Sequence, residues 1–155
     1  MSLTAWRLVK AKHAGTAFDG EGARRFGGRW NERGTPMVYL GGSVSLAALE
    51  IFVHLTAADA RLEYVTIQVD IPSGVSIHEL KISQLPDNWR EEPPPHVCKT
   101  LGTEWIKGGE TALLRLPSVI VPSEYNTLLN PHHRDARRLK MHPPQRFGFD
   151  DRMWK

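Results

Sequence analysis

Residues 44–55, VSLAALEIFVHL, are the segment that most restricts how this chain can fold. On a wheel of about 100° per residue, Leu46, Ala47, Leu49, Ile51, Phe52, Val53 and Leu55 cover nearly the whole circumference. Only Glu50 and His54, spaced i and i+4, share a narrow polar sector. A helix that is apolar all round must be enclosed by the rest of the fold. Its carboxylate then needs either a buried partner or a cleft, because an unpaired interior carboxylate carries a large desolvation penalty. An arginine salt bridge or a Glu–His pair satisfies the first alternative. The second makes Glu50 a titratable group in a concave apolar site, a setting suited to catalysis. Ser43 or Ser45 is placed to cap the helix.

The chain on either side of this helix reads mostly as strands. AWRLV (5–9) and PMVYL (36–40) are short strands, and LEYVTIQVDI (62–71) alternates cleanly with Val65, Ile67, Val69 and Ile71 on one face. VSIHEL (75–80) is expected to pair with it across the PSG turn. A second helix is expected over 97–107, stopped by Gly108-Gly109. ALLRL, SVIVP and NTLLN read as further strands, and RFGFD closes the chain. Strands, one buried helix and more strands without regular βαβ alternation argue for an α+β fold. At 155 residues the chain is expected to be one domain spanning 1–155, burying roughly 70% of its unfolded surface.

The glycine-rich stretch 14–36 is expected to be a long ordered loop or a lid, and long loops inside compact domains tend to be functional. GEGARRFGG fails as a dinucleotide fingerprint because it neither follows a clear strand nor opens a helix. No P-loop lysine–serine signature occurs. Gly27-Gly28 would let backbone approach a ligand, and Arg29 offers a planar fork suited to phosphate oxygens. Trp30, beside it, is a candidate stacking surface.

Other chemistry is thinly supported. His132-His133 with Asp135 lacks further ligands at convincing spacing, so no metal is expected. Cys98 reads as a packed thiol; as the only cysteine it excludes an internal disulfide and fits a reducing cytoplasm. No GxSxG elbow surrounds Ser123, which disfavours a hydrolase triad. No apolar run approaches the length of a membrane span. The net charge of +3, with basic clusters at Arg24-Arg25-Arg29 and Arg134-Arg137-Arg138-Lys140, leaves open a basic protein that binds or cleaves nucleic acid.

Taken in order, WRLV (6–9), GGRWNERGTPMVYL (27–40), SLAALEIFVHL (45–55), GTEWIKGG (102–109), VPSEYNTLLNPHH (121–133) and FGFDDR (147–152) resemble the RES-domain toxins of bacterial RES–Xre toxin–antitoxin systems. The resemblance covers nearly the whole chain. It implies a single compact α+β domain similar to the ADP-ribosyltransferase fold, with central split antiparallel sheets and flanking helices. It further implies an enzyme that consumes NAD as substrate, without a metal. Carried over by motif, the catalytic set is Arg29, Tyr39, Glu50 and Ser123, with Arg7, Asn31 and Asn130 as further NAD-contact positions. The implied partner is an Xre-type antitoxin that blocks the site and carries the only link to DNA. The acceptor of ADP-ribose, whether water, phosphate or a protein, is left open by these motifs.

Overall fold

A computed structural model describes residues 2–154. Its eight strands hydrogen-bond in the order β4-β5-β6-β2-β1-β3-β7, with β8 also on β3. The strands are β1 (Leu3–Lys10), β2 (Val38–Gly41), β3 (Tyr64–Ile71), β4 (Ile77–Glu79), β5 (Leu113–Pro117), β6 (Tyr125–Leu129), β7 (Lys140–Met141) and β8 (Gln145–Phe147). Three α-helices flank them: α1 (Glu21–Phe26), α2 (Val44–Phe52) and α3 (His96–Gly108).

The sheet has a weak seam. β1 and β3 pair from Leu3↔Ile71 to Lys10↔Tyr64, but β1 and β2 share only Trp6↔Gly41. The expected split therefore falls between β1 and β2. Arg7 bridges it by side chain: its Nε donates to Ala17 O at 3.0 Å and its Nη1 to Tyr39 O at 3.3 Å. Burial lowers the Arg7 guanidinium to about 10, opposed by the nearby Asp19 carboxylate, so it remains charged at neutral pH.

Several elements differ from expectation. β4 does not fold back on β3; it runs parallel to β5, with Ile77 opposite Leu113. Both edges of β3 are already taken, one by β1 and the other by β7 and β8. The crossover that parallel pairing requires contains α3. The sheet is accordingly mixed rather than wholly antiparallel. SVIVP (118–122) forms bends, not a strand, and the 14–36 stretch contains α1. The helix expected to reach Leu55 ends at Phe52.

The two helix signals in the sequence act as anticipated. Ser43 Oγ accepts from Leu46 N at 3.1 Å, and Gly109 ends α3 in the left-handed region at φ 62°. α2 buries Leu46, Ala47 and Ala48, whereas Leu49 and Val53 stay exposed. It is thus enclosed on one side only.

α3 fixes the glycine loop by close contact. A Cβ on Gly102 would lie 1.8 Å from the Trp30 carbonyl oxygen, so only glycine fits there. Gly→Ala inside a helix ordinarily gains about 1 kcal/mol. Gly102→Ala should instead destabilise by ~2 kcal/mol or more, lowering the melting temperature by about 5 °C or more. Calorimetry or circular dichroism melting checks this.

Candidate active site

The loop 27–31 is tied by one buried side chain. Asn31 is fully buried, and its amide donates to Ala23 O at 2.8 Å and to Glu32 O and Thr35 O at 3.1 Å. Its Oδ1 accepts from the Tyr39 hydroxyl at 2.6 Å, and that hydroxyl accepts from Trp30 N at 3.1 Å. Gly28 closes over the same hydroxyl: a Cβ there would come within 2.6 Å of it. Burial raises the Tyr39 phenol far above its ordinary range, so it stays neutral. Trp30 is 3% exposed and packs with Met37, Trp89, Cys98 and Leu114. It belongs to the core and is not a ligand platform.

This knot adjoins Arg29, which is held at the edge of a cleft. Its Nη1 donates to Trp89 O at 3.0 Å and Glu91 O at 2.8 Å, and its Nη2 pairs with Glu92 Oε2 at 2.8 Å. The Arg29 side chain is 12% exposed, against 67% for Glu92. Arg29 and Glu92 line an open cleft of about 440 Å³ with Val53, His54, Arg90, Val119 and Ile120.

Glu50 is half-buried, and its Oε1 accepts from Ser118 Oγ at 2.9 Å. Burial pushes its carboxyl above the ordinary range, while hydrogen bonding by Asn126 and Ser118 and the charges of His54 and Arg29 partly oppose the shift. Ser118 is itself fixed, since its Oγ accepts from Ile120 N and Val121 N, both at 3.1 Å. Both alternatives for Glu50 therefore hold in part. It has a polar partner, and it stands beside an arginine-lined cleft.

The seven residues singled out from the sequence separate into groups. Arg29 and Glu50 share one electrostatic environment, with Tyr39 and Asn31 beneath the Arg29 loop. Arg7 lies at the sheet seam. Asn130 is buried, and its Oδ1 accepts from His132 N at 3.1 Å, which makes it the anchor of the turn after β6. Ser123 sits in an exposed turn without a hydrogen bond to Glu50, Arg29 or Tyr39. The serine that touches Glu50 is Ser118, which the sequence reading passed over as part of a strand. Two Pro-Ser pairs, 117–118 and 122–123, stand five residues apart, and this repetition was the available signal. Among the described residues, no group of three or more His, Cys, Asp or Glu is placed to hold a metal.

These elements define an α+β fold, one mixed sheet with flanking helices. The M. tuberculosis MbcT–MbcA toxin–antitoxin complex contains a chain of the same fold, at a TM-score of 0.76 and 20% identity, covering 96% of this chain and 85% of that one. The RES domain family matches residues 4–150, and the chain belongs to that family. It is 37% identical to the Toxin Res of Yersinia enterocolitica over 149 residues, covering 96% of this chain and 97% of the relative. It is 38% identical to the Prs ADP-ribosylating toxin of a Sphingobium species over 157 residues, covering 99% and 98%.

Tyr39→Phe removes one hydroxyl and leaves Asn31 Oδ1 and Trp30 N without that partner. The expected cost is about 1–3 kcal/mol, read as a lower denaturant midpoint at unchanged slope.

Proposed function

We propose that this chain is the toxin of a toxin–antitoxin system and breaks the nicotinamide–ribose bond of NAD, with water or phosphate taking the ADP-ribose. The observation that carries this reading is Glu50, held by Ser118 on an apolar helix beside a cleft lined by arginines. The family relatives named toxins support the biological role. The complex that contains the MbcT fold supports an antitoxin partner, of the Xre type that the family resemblance implies.

Cleaving this bond develops positive charge on the ribose, as in glycoside cleavage through an oxocarbenium-like transition state. Ionised Glu50 stabilises that charge and accepts from a ribose hydroxyl. Ser118, which donates to Oε1 of Glu50, fixes which carboxylate oxygen faces the ribose. The Tyr39 ring packs against nicotinamide as an aromatic face for a cationic ring. Its hydroxyl is already committed to the Asn31 knot. Arg29 sets the cationic wall of the cleft toward the pyrophosphate, once it exchanges Glu92 for substrate oxygens. Nicotinamide departs as a neutral molecule and needs no metal to assist it.

Transfer of ADP-ribose to a protein is the second reading, favoured by the 38% identical relative named an ADP-ribosylating toxin. It breaks the same bond and differs in the acceptor. Mass spectrometry of products, with and without candidate proteins, separates the two. Free ADP-ribose or its phosphate without protein adducts supports the first. Adducts formed at the expense of free product support the second.

Glu50→Gln should lower NAD consumption about 100-fold or more, the scale of losing one preorganised charge stabiliser. Its melting temperature at pH 7 should be equal to or above that of the parent protein. The sign follows from the direction of the shift. A carboxyl whose folded-state value is raised binds its proton more tightly when folded, so ionisation costs stability above that value, and glutamine removes the cost. Activity that needs ionised Glu50 should fall with acid at a pH above the ordinary carboxylate range. An acid limb at an ordinary carboxylate value, or full turnover in Glu50→Gln, would overturn the assignment.

Ser118→Ala should lower kcat about tenfold or more, whereas Ser123→Ala stays within twofold of the parent. Steady-state NAD kinetics on both variants checks which serine serves Glu50.

A further inference from the structure

Two arginines line the cleft, but they are not equivalent. Arg29 is engaged: two carbonyls hold its Nη1 and Glu92 neutralises it at 2.8 Å. Arg90 makes one hydrogen bond, from Nε to Val119 O at 3.0 Å, and its side chain is exposed. Among the described residues no carboxylate forms an ion pair with it. Its two Nη groups are therefore open to a ligand, and they are the donors that match a phosphate bidentately.

The surroundings place Arg90 with care. The carbonyls that Arg29 grips, Trp89 O and Glu91 O, belong to the residues on either side of Arg90. Trp89 is 6% exposed and anchors that backbone in the core beside Trp30 and Cys98. On the other side, Val119, which holds Arg90 Nε, directly follows Ser118, which holds Glu50. Arg90 is thus registered both to the Arg29 loop and to the carboxylate. An exposed arginine with no function would have no reason to be fixed at both backbone and Nε while its outer nitrogens stay unpaired in a cleft.

We propose that Arg90 is a substrate-binding residue, donating from its Nη groups to the diphosphate of a dinucleotide seated in this cleft, while Arg29 holds the backbone that presents it through Nη1 and reaches the same diphosphate only through Nη2. This inference rests on the NAD reading for its ligand. The shared chemistry is a diphosphate, so binding of inorganic pyrophosphate tests it without turnover.

The experiment compares the parent protein with Arg90→Gln and Arg90→Lys, and with Arg146→Gln, an exposed β8 arginine that does not line the cleft, as a control. NAD turnover gives KM and kcat, and isothermal titration with inorganic pyrophosphate gives affinity. Arg90→Gln should raise KM about tenfold or more, the size of one lost charge-assisted hydrogen bond. It should weaken pyrophosphate binding in parallel and change kcat less than KM. Arg90→Lys should recover part of both losses, because it restores charge without the fork; a merely structural role at Val119 O would give no such recovery. Arg146→Gln should match the parent. If Glu50-dependent NAD turnover is present, and KM and pyrophosphate affinity in Arg90→Gln both stay within twofold of the parent, the Arg90 subsite is overturned. If no NAD is turned over but pyrophosphate binds through Arg90, the subsite stands and the NAD reading falls. Absence of both turnover and pyrophosphate binding overturns both.

Discussion

The site depends on one buried amide. The Asn31 side chain has its donors and acceptor satisfied inside the fold, and its four hydrogen bonds end on Ala23 of α1, on Glu32 and Thr35 of the following loop, and on Tyr39. A buried polar group is costly when unpartnered and rigidifying when fully partnered. Here that property is used to shape the segment 27–35 after α1, which contains no regular secondary structure beyond a single Gly28–Asn31 bridge. The Tyr39 hydroxyl joins the knot to β2, and Gly102 of α3 lets helix backbone meet Trp30. A flexible glycine loop thereby becomes a rigid mount for Arg29.

Charge in the cleft is arranged as opposing wants. Glu50 is disfavoured as an anion by burial and favoured by Ser118, Asn126, His54 and Arg29. Arg29 is partly buried and answered by the exposed Glu92. An exposed carboxylate is readily given up to solvent, so this pairing is the kind a phosphate can replace at little cost. The buried parts of the site are therefore fixed, and the exchangeable contact lies on the solvent side.

Much of this was legible from residue order. The α+β class, the caps at Ser43 and Gly109 and the strand over 64–71 follow from local pattern, whereas only the family resemblance implied that Glu50 and the Arg29 loop belong to one site. What was not legible involved distance along the chain. The partner of β4 was decided by which edges of β3 other strands had filled, a fact that no local pattern contains. Trp30 read as a candidate stacking surface beside Arg29, whereas α3, distant along the chain, meets it through Gly102 and buries it. The choice between Ser118 and Ser123 depended on bends in a segment whose β-branched residues, Val119, Ile120 and Val121, suggest a strand. Asn126, which also biases Glu50, lies on β6 and carried no sequence signal beyond its neighbourhood.

The outermost strands have a consequence of their own. β4 and β8 have three residues each and β7 has two, so the sheet ends on both sides in very short ladders. Short edges deny an incoming chain the row of unpaired amides and carbonyls that strand addition needs. Docking on this fold by side chains, in grooves or on helix faces, is therefore favoured over extension of its sheet. The same bluntness protects newly made copies of the chain from zipping onto one another before any partner arrives.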